Sequence, residues 1–168
     1  MSKTPPLLAD ETLERVLRHG RANGAAVLVV GTVFALLGAA AGAVPPVMAW
    51  LLVAGTGAMA LHGATLLKHG DARGLNWLIS SQTVCLAFIL SYCAWQLAHV
   101  DLSSLRAALT DDMRASVKET GLTEDEFLLL SYRLTYVLVA FMALIYQGTK
   151  AAYYLRRREA VIAALGSE

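Results

Sequence analysis

The chain has 168 residues, 57% hydrophobic and only 16% charged, with a mean hydropathy of +0.53 and a net charge of +1. Soluble domains carry about 25% charged residues, so this composition excludes an ordinary water-soluble fold. The net charge says nothing useful about partners, because the charges are segregated by region rather than spread out, and nucleic acid is not an expected partner.

At the amino-terminal end, Thr4-Pro5-Pro6 is followed by Leu7, Leu8, Leu13, Val16 and Leu17 with Asp10, Glu11, Glu14, Arg15 and Arg18 interspersed. The pattern predicts a short amphipathic helix ending near Gly20, within a cytoplasmic segment over 1–21. Such a helix is expected on the membrane surface, apolar residues toward acyl chains and arginines toward lipid phosphate. The competing expectation is packing against the loop that contains Lys68.

A charge-free run of 46 residues then extends from Ala22 to Leu67, interrupted by Pro45-Pro46. One crossing needs about 20 residues, so the run predicts two transmembrane helices, 25–44 and 47–67, reversing at the prolines. Arg18, Arg21 and the later Ala41-Gly42-Ala43 resemble a secretory signal peptide. The polar lead is long for one, and the first segment is expected to stay as a signal anchor. Gly31, Ala35, Gly38 and Gly42 form a stripe of small residues that includes a GxxxG pattern, suited to close backbone approach. The partner is expected to be the second helix of the hairpin or the same helix of another copy.

The second uncharged stretch, Gly74 to Val100, predicts a third crossing over 75–100. Cys85 and Cys93 lie within it, about 12 Å apart on a helix, too far for a mutual disulfide. Both read as buried small hydrophobes.

The segment 101–126 is predicted as a helical extracytoplasmic loop. Leu102, Leu105 and Leu109 recur at helical spacing, Asp111 to Thr120 gives a second short helix with Met113 and Val117 on one side, and Gly121 is a stop. The acids of this region lack the Asp-x-Asp-x-Gly spacing of a calcium loop, so no metal is expected. Thr123-Glu124-Asp125-Glu126 is a capping box opening a fourth crossing over 127–155, longer than the hydrocarbon core requires and therefore expected to tilt or project. A cytoplasmic tail follows over 156–168.

Basic residues near the crossings fix the expected orientation. Lys3, Arg15, Arg18, Arg21, Lys68, Arg73, Lys150 and Arg156-Arg157-Arg158 all fall on one side of a four-crossing chain. The sequence thus predicts a single-domain, all-α integral membrane protein of the plasma (inner) membrane. Its four transmembrane helices form an antiparallel bundle with both termini cytoplasmic and a short helical extracytoplasmic cap between helices three and four.

Polar residues in lipid are costly and face the bundle interior, where function is sought first. The third crossing presents Ser81, Cys85, Phe88, Tyr92, Gln96 and His99 on one face, the fourth Tyr136, Ala143, Gln147, Lys150 and Tyr154, and the second Gly55, Ala58, His62 and Thr65. Comparison of depths predicts an inner polar cluster of His62, Gln82 and Gln147 with Lys150 at its mouth, and an outer cluster of Tyr92, Gln96, His99, Arg133 and Tyr136. Each would serve as interhelical hydrogen bonding or line a cavity.

Catalysis has the least support. The crossings from Ala22 to Leu67 and from Gly74 to Val100 contain no acid for an aspartyl dyad or proton-coupled export, no CxxC pair is present, and haem would need two axial groups at one depth. No cofactor is expected. The remaining classes are a non-catalytic protein that binds membrane lipid or a membrane-protein partner and self-associates, and an oligomeric channel or facilitator lined by polar residues of helices two to four. Tyr146-Gln147-Gly148 and Tyr153-Tyr154-Leu155-Arg156-Arg157-Arg158 read as a stop-transfer end and name no family.

Overall fold

A computed structural model describes residues 8–42, 44–119 and 121–166. Thr4-Pro5-Pro6-Leu7, Lys3, Ala43 and Thr120, which figure in the expectations above, lie outside the described residues. The described residues form seven helices joined by short turns: α1 (Ala9–Ala40), α2 (Val44–Lys68), α3 (Arg73–Ala98), α4 (Ser103–Ala108), α5 (Asp111–Glu119), α6 (Glu124–Arg156) and α7 (Arg158–Leu165). α1, α2, α3 and α6 are long and apolar enough to cross a membrane, which makes the chain consistent with a membrane protein.

Two boundaries differ from the sequence reading, for identifiable reasons. α1 runs unbroken through Gly20, so no separate amphipathic helix ends there. Gly20 is buried, and a Cβ on it would lie 3.0 Å from the Leu78 side chain; its missing side chain serves close packing rather than termination. The chain reverses at Ala41-Gly42 rather than at the prolines. Gly42 has φ +69°, a left-handed conformation that glycine adopts without a Cβ penalty. Pro45 and Pro46 occupy the first turn of α2, where a missing N–H costs nothing.

Packing divides the chain into two compact units, one formed by the described residues of 1–88 and 146–168, the other by Ile89–Ile145. In the first unit α1 and α2 make an extensive hairpin contact and α7 lies against α1. The hairpin is closed by small residues. A Cβ on Gly57 would meet Leu28 N at 2.5 Å and Gly24 O at 2.8 Å, and one on Gly31 would meet Ala54 N at 2.7 Å. Gly74 and Gly63 bring α3 onto α2 equally closely. In lipid, where apolar burial drives little, such backbone proximity supplies the dispersion that holds helices together.

A cluster of Val16, Ala60, Ala64, Leu67, Leu75, Leu78, Tyr154 and Val161 forms the apolar core of this unit, with Leu13, Leu17 and Leu165 packed against it. The apolar face expected to rest on acyl chains is therefore covered by protein: Val16 is fully buried, in one cluster with Val161 of α7. Of that face's described residues, Leu8 stays exposed.

In the second unit, Thr123 and Glu126 form the expected capping box. Thr123 N–H donates to Glu126 Oε2 at 3.0 Å and Glu126 N–H to Thr123 Oγ1 at 3.3 Å. Gly121 has φ +75° beyond the end of α5. Leu109 and Val117 are buried, while Leu105 and Met113 remain exposed. Arg106 pairs with Asp125 at 2.8 Å and joins α4 to the start of α6.

Candidate functional site

Three assemblies of polar side chains stand out. The first lies in the interior of the unit that contains α1 and α2, where α1 contributes Asn23, α2 Thr56, α3 Ser81, Gln82 and Cys85, and α6 Tyr146 and Gln147. Its hydrogen bonds run in sequence. Tyr146 OH donates to Asn23 Oδ1 at 2.7 Å, Asn23 Nδ2 to Gln82 Oε1 at 3.4 Å, Gln82 Nε2 to Ser81 Oγ at 3.0 Å, and Ser81 Oγ to the Leu78 carbonyl at 2.8 Å. Gln147 Nε2 reaches Cys85 Sγ at 3.4 Å, while its Oε1 is buried without a protein partner. Thr56 Oγ1 donates back to the Val53 carbonyl at 2.7 Å. The space between these side chains is too narrow to admit a water molecule.

This assembly keeps part of the expected inner cluster and replaces the rest. Gln82 and Gln147 are buried as anticipated. His62 is exposed, its ring edge-on to Trp77 at 5.1 Å, and Lys150 is half-buried with its ammonium 5.4 Å from the centre of the Tyr146 ring. The whole face assigned to the second crossing, Gly55, Ala58, His62 and Thr65, is exposed, and the buried face is Ala54, Thr56, Gly57, Ala60, Gly63, Ala64 and Leu67. Polarity misdirects here because α2 packs through its smallest residues. Asn23 joins the assembly from outside the expected cluster, and the signal for it is that an amide inside a charge-free run carries the same intramembrane cost as the glutamines.

The second assembly is in the other unit. Gln96 Nε2 donates to Tyr92 OH at 2.7 Å, and Tyr132 OH donates to Gln96 Oε1 at 2.8 Å. The Tyr136 ring lies 4.8 Å from that of Tyr132 and 6.1 Å from that of Tyr92. Tyr92, Gln96 and Tyr136 thus come together as expected. His99 instead stacks on Trp95 at 3.9 Å and is exposed, as is Arg133. Tyr132 takes the place assigned to Arg133, being one helical turn of four residues before Tyr136.

No family model, curated protein or solved structure matches this chain.

The stripe expected on α1 is accounted for within the hairpin. Gly31 and Ala35 are buried, and Gly38 faces Val47, where a Cβ would approach to 3.1 Å. Gly42 is outside the stripe: it belongs to the turn, with nothing within 4 Å of a Cβ.

The third assembly is an open groove of about 800 Å³ in the first unit, lined by Glu11, Glu14, Arg15, Leu17, Arg18, Arg21, Ala22 and Lys68. It lies on the polar side of α1, opposite the residues that α7 covers. Chemically the three assemblies differ. The first contains amides, hydroxyls and a thiol but no acid or imidazole to exchange protons near neutral pH. The second is aromatic. The third presents concentrated positive charge. Among the described residues, no three His, Cys, Asp or Glu side chains gather to hold a metal ion.

Proposed function

We propose that this chain is a non-catalytic integral protein of the plasma (inner) membrane that binds membrane lipid or a membrane-protein partner. Its four crossings form an antiparallel bundle with both termini cytoplasmic, the orientation that the basic residues favour. One observation carries the reading. The polar side chains best placed to line a pathway are hydrogen-bonded to one another, from Tyr146 through Asn23 and Gln82 to Ser81, in a space too narrow for water. They serve as interhelical ties. Self-association would use surfaces other than the Gly31-Ala35-Gly38 stripe, which α2 occupies.

One observation favours an oligomeric channel as the second reading: Gln147 Oε1 is buried and unpartnered, as a site waiting for a solute would be. Proteoliposome flux separates the two. The interaction reading expects ion and small-solute flux no greater than that of empty vesicles, for the wild type and for Gln82→Leu and Gln147→Leu alike. Flux through the wild type that both substitutions abolish would replace it with the channel reading.

A further inference from the structure

The open groove between the first turns of α1 and the end of α2 has three properties that together specify a ligand. The first is charge. Arg15, Arg18 and Arg21 follow one another at three-residue steps on α1, and Lys68 closes α2 opposite them. None of the four enters the ion pairs found among the described residues, which join Arg106 and Arg114 to Asp125, Asp111 and Glu124. Against four cations the groove sets two carboxylates, Glu11 and Glu14, an excess of two positive charges.

The second property is height. Arg21 and Lys68 bracket the charge-free run Ala22 to Leu67. Because the hairpin folds this run back on itself, its two ends are neighbours: a Cβ on Gly20 would lie 3.6 Å from Ala64 Cβ. In a membrane-spanning hairpin this is where the chain leaves hydrocarbon and meets the phosphate layer. α1 has 32 residues, about 48 Å of helix, so its first turns rise through that layer and beyond a hydrocarbon core of about 30 Å.

The third is rigidity. The opposite side of the same turns is fixed by Val16 and its neighbours in the apolar cluster shared with α7. The arginines therefore project from a held backbone. Guanidinium groups bind phosphate oxygens in bidentate pairs, and a pre-positioned set loses less freedom on binding. Basic pockets between crossing helices are suited to multiply charged headgroups.

The geometry points to a binding site for a phosphate-bearing group of two negative charges in the groove formed by Arg15, Arg18, Arg21 and Lys68. The source that its height favours is an anionic phospholipid headgroup with either two phosphodiesters or one phosphomonoester. This rests on the membrane-protein reading above and names the lipid class that reading leaves open.

The test uses the full-length protein in non-ionic detergent, with phosphatidylcholine, phosphatidylglycerol, diphosphatidylglycerol or phosphatidic acid added singly and retention read by native mass spectrometry. Diphosphatidylglycerol and phosphatidic acid should be retained over phosphatidylglycerol. Arg18→Gln with Lys68→Gln should lower that retention about thirtyfold, at roughly one surface cation's contribution per residue removed. Lys118→Gln with Arg133→Gln removes the same charge outside the groove and should change it less than about twofold. Single Lys68→Gln, at an exposed helix end, gives the same direction should the double variant not fold.

Inorganic pyrophosphate, titrated calorimetrically without lipid, distinguishes a soluble source. Heat that disappears in the groove variant supports the same phosphate chemistry from solution. Equal retention of singly and doubly charged lipids, equal loss in both double variants, or no binding of lipid or pyrophosphate would overturn the site. Any of these leaves the non-conducting reading intact, since that reading stands or falls on vesicle flux.

Discussion

Tyr146 donates its phenolic proton to the amide oxygen of Asn23 at 2.7 Å, joining residues 123 positions apart. This bond starts the polar chain that passes through Gln82 to Ser81, so α1, α3 and α6 are tied by one network. Hydrogen bonds inside membranes contribute modestly because the separated helices also find partners; measured couplings average about 0.6 kcal/mol. A double-mutant cycle of Asn23→Leu and Tyr146→Phe, read from unfolding in mixed detergent, should give coupling of about that size. Zero coupling would mean that the two side chains do not share a bond in the folded protein.

The glycine contacts should matter more than the hydrogen bonds. Gly57→Ala would place a methyl group 2.5 Å from Leu28 N, and Gly74→Ala would drive one against the Gly63 carbonyl; both obstacles are backbone, which cannot rotate away. Each substitution should destabilise by about 2 kcal/mol or more, within the range of overpacked cores. Gly55→Ala meets nothing within 4 Å and should be neutral or stabilising by up to about 1 kcal/mol, the helix-propensity gain. Thermal melts of the three variants in one detergent check the ranking.

The first three long helices were legible from the charge-free runs Ala22 to Leu67 and Gly74 to Val100, and the fourth from an apolar span over 127–155 that contains only Arg133 and Lys150 as charges. The capping box at Thr123 and Glu126 was legible because its two bonds depend on local spacing. The faces were legible only where polar and small residues coincide. On α3 and α6 the expected faces contain the buried Ser81, Cys85, Gln147 and Tyr154. On α2 the polar His62 pointed to the wrong side, because Gly57 and Gly63 determine which face can approach a neighbour. α7 falls in the stretch 156–168 that the sequence presents as a tail, although Val161 and Ala164 sit three residues apart on one buried face. Its partner is Val16 of α1, far away in sequence, and no local pattern announces it.

The turn into α4 gives a pH-dependent prediction. Asp101 Oδ1 accepts the Ser103 N–H at 2.9 Å, and the Ser103 hydroxyl and amide together hold the Asp101 carboxyl below its ordinary value. A depressed carboxylate stabilises the fold above its unfolded pKa of about 3.9 and loses that contribution as pH falls through the folded value. Local order at α4 should therefore persist down to that range and decline below it. Asp101→Asn, which can still accept the bond, should flatten the dependence. Amide exchange at Ser103 across pH 5 to about 2.5 reads both outcomes, and an unchanged profile in the variant would remove the carboxylate as its source.

The contact between α1 and α7 lies beyond the charge-free run, and there a different force applies. Within lipid, an apolar side chain gains little by moving from acyl chains to protein. Val16 and Val161 flank charged residues at the polar ends of the hairpin and of α6, so their unfolded reference is water and their burial counts in full. Both are completely buried in one cluster with Tyr154. Val16→Ala and Val161→Ala should each cost about 2 kcal/mol, and the pair should be non-additive because one cavity serves both. Ile162→Ala, at a side chain 47% exposed, should cost under about 0.5 kcal/mol. If the first turns of α1 lay on the bilayer with α7 detached, Val161→Ala would be as silent as Ile162→Ala, and chemical denaturation of the three single variants and the double variant decides between these arrangements.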